Sequence, residues 1–186
     1  MSGVMRAVVQ DRYGAVDEVL HLREVPLPKV AVDEVLVRVR AASVHPDVWH
    51  VITGRPYVLR LMGSGVRRPK YRIPGTDLAG RVESVGRRVA RFRVGDEVFG
   101  ESHRGFQWRN GGTFAEFVAV PEEILELKPP GVTFEQAATV PTAWIIAVHN
   151  LRYGERLGVG QEVLINGAGG GVGSIAVQLA KAAGAR

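Results

Sequence analysis

The sequence predicts a mixed α/β protein. Residues 1–126 read as a β-rich, barrel-like unit, and residues 127–186 as linker helices and the first β-α step of a doubly wound sheet. Three observations predict this. Short apolar-polar alternations separated by glycines fill the first part. The texture breaks at Lys128-Pro129-Pro130-Gly131, and beyond it come a short apolar run, a glycine cluster and an amphipathic helix.

Glu34–Val44 (EVLVRVRAASV) carries Val35, Val37, Val39 and Ala41 on one face and Leu36, Arg38 and Arg40 on the other. That period of two marks a half-buried strand. Arg6–Gln10, Val19–Glu24, Leu78–Val85, Glu97–Phe99 and Phe114–Val120 are the further strand candidates. Gly14, Gly75, Gly86, Gly95 and the pair Gly111-Gly112 punctuate them with turns where positive φ is cheap. Beyond the break, Thr133 is expected to cap a helix with Glu135 and Gln136 in its first turn. Pro141 suits the opening turn of the next. Thr142–Leu151 is apolar on nearly every side and is expected to be buried between domains. Glu162–Ala168 (EVLINGA) reads as a strand covered on both faces. Val172, Ile175, Ala176, Leu179, Ala180 and Ala183 then recur at helical spacing.

Composition bounds the function. At 46% hydrophobic and 23% charged the 186 residues are globular in type, with no apolar run near the roughly 18 residues of a membrane span. The opening MSGVMRAVVQ lacks a signal-peptide apolar core, so the cytoplasm is the expected compartment. With no Cys, disulfides, thiolate metal ligands and a cysteine nucleophile are all excluded. The net charge of +5 is scattered, and only Arg67, Arg68, Lys70 and Arg72 cluster. A solvated surface loop is the favoured reading of that cluster over an anion-binding one. Neither a nucleic-acid nor a membrane partner is expected.

The glycine cluster carries more. Ala168-Gly169-Gly170-Gly171-Val172-Gly173 sits between the apolar run and the amphipathic helix. Such a turn lets backbone approach a pyrophosphate, while the helix N-terminus offers N–H groups and partial positive charge. The match is A-x-G-x-x-G through Ala168, Gly170 and Gly173, with Gly171 and Val172 between. A flexible hinge is the bland alternative. The residue that separates NAD from NADP lies about 20 positions further on, so NADPH and NADH both stay open at this point.

Four blocks, in order, resemble the medium-chain dehydrogenase/reductase superfamily: Pro74–Gly80 (PGTDLAG), Val94–Gly100 (VGDEVFG), Gly112–Phe117 (GTFAEF), and the glycine loop after Leu164-Ile165-Asn166-Gly167. The resemblance runs along the whole chain and is nearest to the zinc-independent, quinone-oxidoreductase-like branch. It implies a GroES-like β-barrel domain followed by a Rossmann domain. In that family the chain continues well past the position of Arg186, so the nucleotide-binding domain is expected to be incomplete here.

The same resemblance implies a chemistry. Where the zinc-dependent branch has its first Cys, its His and its second Cys, this chain has Val44, Thr76 and Ala138. Catalytic zinc takes three protein ligands, so no metal is expected. His45, Asp47, His50 and His103 are a far weaker substitute set. Hydride transfer from NADPH, with NADH as the alternative, to a quinone or α,β-unsaturated carbonyl is the implied reaction. In such acceptors the developing oxyanion is delocalised and needs only hydrogen-bond donors.

Within that family, the loop that reads Asn-Pro in many members reads His45-Pro46-Asp47 here, which makes His45 the catalytic candidate. A loop-stabilising His is the alternative. Asp47 reads as a turn residue. Thr142 matches a position near the nicotinamide and joins the cofactor-binding candidates. Trp49 and Tyr57 are the substrate-wall candidates, while Leu59 and Leu61 read as core. The competing functions are an alcohol or aldehyde dehydrogenase of the same superfamily and a non-catalytic GroES-like binding module. The 186-residue form is expected to be inactive alone, or to self-associate as a homodimer through its uncovered apolar edge.

Overall fold

A computed structural model describes residues 3–102, 111–151 and 157–186. The chain divides into two compact units, Met1–Ala138 and Thr139–Arg186.

In the first unit β1 (Val4–Gln10) and β2 (Leu20–Pro26) form an antiparallel hairpin across the short helix α1 (Val16–Val19). A five-stranded antiparallel sheet runs in the order β6-β3-β4-β5-β7. Its strands are β3 (Glu34–Ala41), β4 (Asp77–Val85), β5 (Glu97–Glu101), β6 (Phe117–Pro121) and β7 (Leu125–Leu127). The two edge strands, β6 and β7, are joined only by Glu122–Ile124. Four Cα steps reach at most about 15 Å, whereas four inter-strand spacings of a flat sheet would separate the edges by about 19 Å. The sheet therefore curls, which is the barrel the sequence predicts. Val35, Val37, Leu78, Val82, Val98 and Leu125 fill its interior. The alternation in β3 holds only in its second half: Glu34 to Val37 are all buried, while Arg38 and Arg40 are exposed.

One helix of this unit, and the docking of another on its sheet, escape the sequence reading. Helix α2 (Pro46–Thr53) follows β3, with His45 at its N-cap position, Pro46 in its first turn and Gly54 left-handed at its end. Helix α3 (Phe134–Ala138) packs on β3, β4 and β5 through Ala137 and Ala138. The unit thus ends after residue 138 rather than at 126/127, because β7 and α3 both dock on the sheet. The predicted cap at Thr133 is a reciprocal capping box: Gln136 N donates to Thr133 Oγ1 (3.2 Å) and Thr133 N to Gln136 Oε1 (3.0 Å).

The second unit holds α4 (Pro141–Leu151) packed against α5 (Gly171–Ala182). Helix α4 is not buried all round as expected. It covers Thr142 and Ala147 but leaves Trp144 and Ile145 exposed, since its contact with α5 uses one side only. Glu162–Ala168 is extended at its start but is not an assigned strand, because a strand needs a ladder partner. It has one rung: Arg186 N donates to Gln161 O (2.8 Å) and Val163 N to Arg186 O (2.7 Å). Those two bonds, straddling Glu162, are the slanted pattern of parallel pairing.

Candidate active site and dinucleotide loop

The first three motif blocks converge on one corner of the barrel. Backbone bonds lace Pro74–Thr76 to residues 102 and 111–114, with Phe114 N donating to Pro74 O (3.0 Å) and Ser102 N to Thr76 O (2.7 Å). Gly75 has φ 85°, and a Cβ there would lie 2.3 Å from Thr113 Oγ1 and 2.4 Å from the Phe114 ring. Only glycine permits that approach. In the second block a Cβ on Gly100 would meet Ile124 O at 2.2 Å.

This corner lies where β3 leaves the sheet and β4 enters it, so residues 43–45 face residues 76 and 77. Ser43 Oγ donates to Asp77 Oδ2 (2.8 Å), and His45 Nε2 lies 2.8 Å from Thr76 Oγ1. Thr76 and Asp77 are both buried. His45 Nδ1 is buried without a hydrogen bond, and the Asp47 carboxylate stands 3.9 Å from it. The sequence brings His45 and Asp47 together as neighbours, but Thr76 as the imidazole's partner is a contact that only the β3–β4 register creates.

The substrate-wall candidates lie at the surface and not in the core. Trp49 on α2 is 50% exposed, and Tyr57, just beyond α2, is 64% exposed. Tyr57 stacks on the Arg60 guanidinium, which lies 4.7 Å from its ring and 4.3 Å from that of Tyr13. Leu59 is core as predicted, but Leu61 is 74% exposed, since the turn at Arg60–Ser64 points Leu59 inward and Leu61 out. The basic side chains Arg67, Arg68, Lys70 and Arg72 are all exposed. Among the described residues no three His, Asp or Glu side chains gather as metal ligands. His103 lies outside the described residues.

In the second unit the glycine loop turns tightly into α5. Gly167 has φ 78°, Gly170 N donates back to Gly167 O (3.0 Å), and Gly170 caps α5. A Cβ on Gly173 would stand 2.1 Å from Gly167 O and 2.7 Å from the Ala168 Cα, so this glycine lets the helix sit tight on the loop. A Cβ on Gly169 or Gly171 would meet nothing. Ala168, Gly170 and Gly171 are exposed and Val172 is half-buried. The first N–H groups of α5 have no acceptor within the helix and open toward this side. Exposed N–H groups of this kind suit an anion. Thr142, buried in α4, belongs to this same unit.

The fold and the loop define a class: a curled β domain of GroES type joined to the opening of a Rossmann-type α/β unit. Residues 31–130 match the alcohol dehydrogenase GroES-like domain, and the chain belongs to that family, in the quinone-oxidoreductase-like part of the medium-chain dehydrogenase/reductase superfamily. It is 34% identical over 181 residues to the 2-methylene-furan-3-one reductase of Solanum lycopersicum, covering 95% of this chain and 44% of that one. It is 35% identical over 184 residues to the chloroplastic quinone-oxidoreductase homolog of Spinacia oleracea, covering 96% and 53%. The solved quinone oxidoreductase of Coxiella burnetii superposes with a TM-score of 0.84 at 31% identity, over 98% of this chain and 55% of that one. The chain spans about half the length of the relatives it matches.

Proposed function

We propose that this chain provides the substrate-side domain and pyrophosphate loop of an NADPH-dependent oxidoreductase that reduces a quinone or an α,β-unsaturated carbonyl without zinc. The observation that carries the proposal is the contact of Gly173 with Gly167 and Ala168, which shapes an open cradle at the start of α5. The acceptor class is supported by the names of its relatives, among them an NADPH-dependent alkenal/one oxidoreductase of Arabidopsis thaliana, 34% identical over 179 residues. A quinone oxidoreductase of Escherichia coli solved in complex with NADPH, 25% identical with a TM-score of 0.79, supports the choice of nucleotide.

The zinc-free part rests on donor chemistry. The positions equivalent to the zinc branch's ligands hold the exposed isopropyl of Val44, the Thr76 hydroxyl already engaged by His45, and the buried methyl of Ala138. These side chains do not fit zinc. A reduced nicotinamide, when bound, supplies the hydride. Backbone N–H groups of Gly171, Val172 and Gly173 hold its pyrophosphate, with Ala168 and Gly170 shaping the approach. Thr142 orients the nicotinamide end. His45 is the candidate proton donor to the acceptor oxygen, and to reach it the imidazole Nε2 must leave the Thr76 hydroxyl. The 186-residue form alone is proposed to be inactive and to self-associate, a reading supported by the exposed side chains of Leu164 and Trp144.

A chimera tests this. Residues 1–186 replace the matched half of the spinach homolog, and NADPH oxidation is followed with a quinone, an enone and, in reverse, an alcohol with NADP+. Turnover with the first two, unaffected by a metal chelator, is expected. A folded chimera that oxidises only alcohols, or that a chelator stops, refutes the proposal.

A further inference from the structure

Residues 48–76, which run from α2 to the start of β4, contain six Arg or Lys and no Asp or Glu. Within them Tyr57, Val58, Leu61, Met62 and Val66 are exposed, Leu61 by 74% and Val66 by 61%. A loose loop would fold such side chains inward, but this one is tied down. Tyr13 Oη donates to Gly65 O (2.6 Å), Gln10 N to Arg72 O (2.7 Å), and Arg60 Nε to Gly54 O (3.0 Å), while Leu59 is buried beneath. The loop's fixed backbone therefore holds aliphatic groups out in water. Three of its cations are occupied, Arg72 by Asp11, Arg60 by the rings of Tyr13 and Tyr57, and Lys70 by the ring of Tyr71 at 5.7 Å. Arg55, Arg67, Arg68 and Lys70 make no ion pair with any described residue.

Exposed aliphatic side chains beside unmatched cations suit the boundary between anionic headgroups and acyl chains. We propose that the loop of residues 55–72 docks peripherally on an anionic lipid surface. A nucleic acid would engage the same cations but leave Leu61, Met62 and Val66 in water. No described helix is long and apolar enough to cross a membrane, so the contact is one of lying on the surface. This sets aside the sequence-based expectation of a purely solvated loop with no membrane partner. It is independent of the redox proposal.

The test is co-sedimentation of the full 186-residue chain with vesicles of phosphatidylcholine alone or mixed with phosphatidylserine, with duplex DNA titrated in parallel. Binding to the anionic vesicles only, released by salt, is expected. Arg67→Ala, Arg68→Ala and Lys70→Ala together should weaken it about a hundred-fold, at roughly five-fold per cation. Leu61→Ser with Met62→Ser should weaken it while leaving the salt dependence unchanged. All five positions are exposed or half-exposed, and unchanged melting confirms that the variants fold. No sedimentation, equal sedimentation with neutral vesicles, a triple variant that binds like the parent, or tighter binding to DNA would each overturn the proposal.

Discussion

A Cβ on Gly173 would stand 2.1 Å from the carbonyl oxygen of Gly167, well inside the van der Waals limit. Both atoms belong to backbone, so neither can move aside without opening the loop. Gly173→Val should therefore reduce NADPH affinity at least ten-fold, while Gly169→Ala, which meets open space, should change it little. A fluorescence titration of the two variants separates a shaped cradle from a merely flexible glycine run.

Thr76→Val keeps the shape of a buried side chain but removes the hydroxyl beside His45 Nε2. It should cost about 1–3 kcal/mol, the range for stranding a buried polar atom. Urea denaturation reads this directly. His45→Asn should cost less than Thr76→Val if the amide reaches Thr76. That comparison checks whether the imidazole holds the loop after β3 in place.

Arg60 closes the end of α2. Its Nε donates to Gly54 O and its guanidinium is stacked between Tyr13 and Tyr57. Arg60→Ala is expected to destabilise the first unit by about 1–2 kcal/mol, from a lost helix-end cation and two lost cation–π contacts. Arg60→Lys should recover only part of it, because an ammonium lacks the planar face. Thermal melting of the three proteins gives the order.

Stability should fall in acid through Glu97. Hydrogen bonds from Lys128 and then Arg81 hold its carboxyl below the usual carboxylate range, with Nζ of Lys128 at 3.0 Å and Nη2 of Arg81 at 2.7 Å. A folded-state value below the unfolded one stabilises the protein above the ordinary Glu range, about pH 4.5, and the gain is lost as pH falls through the lowered value. Glu116, held low by the Arg6 backbone and side chain, adds in the same sense. Urea midpoints measured from neutral pH to about pH 3 should drop less steeply for Glu97→Gln than for the parent.

Much of this was legible along the chain because it depends on near neighbours. The alternation of β3, the capping box at Thr133 and the glycine loop are all set by residues within a few positions of one another. Helix α2 was signalled by Pro46 in its first turn and Gly54 at its end, but valines and a Trp at mixed spacing masked its period. Leu61 could not be told from Leu59 by composition, since a single turn decides which of them faces inward. The His45–Thr76 contact spans 31 positions and exists only through the pairing of Ala41 with Ala79. Registry of that kind is invisible to local pattern.

The most direct test of the account is a titration of the 186-residue chain with NADPH, followed by nicotinamide fluorescence, beside its Gly173→Val variant. A saturable signal in the parent that pyrophosphate competes away and that the variant loses is expected. No saturable signal in the parent, or a signal that survives Gly173→Val, would contradict it.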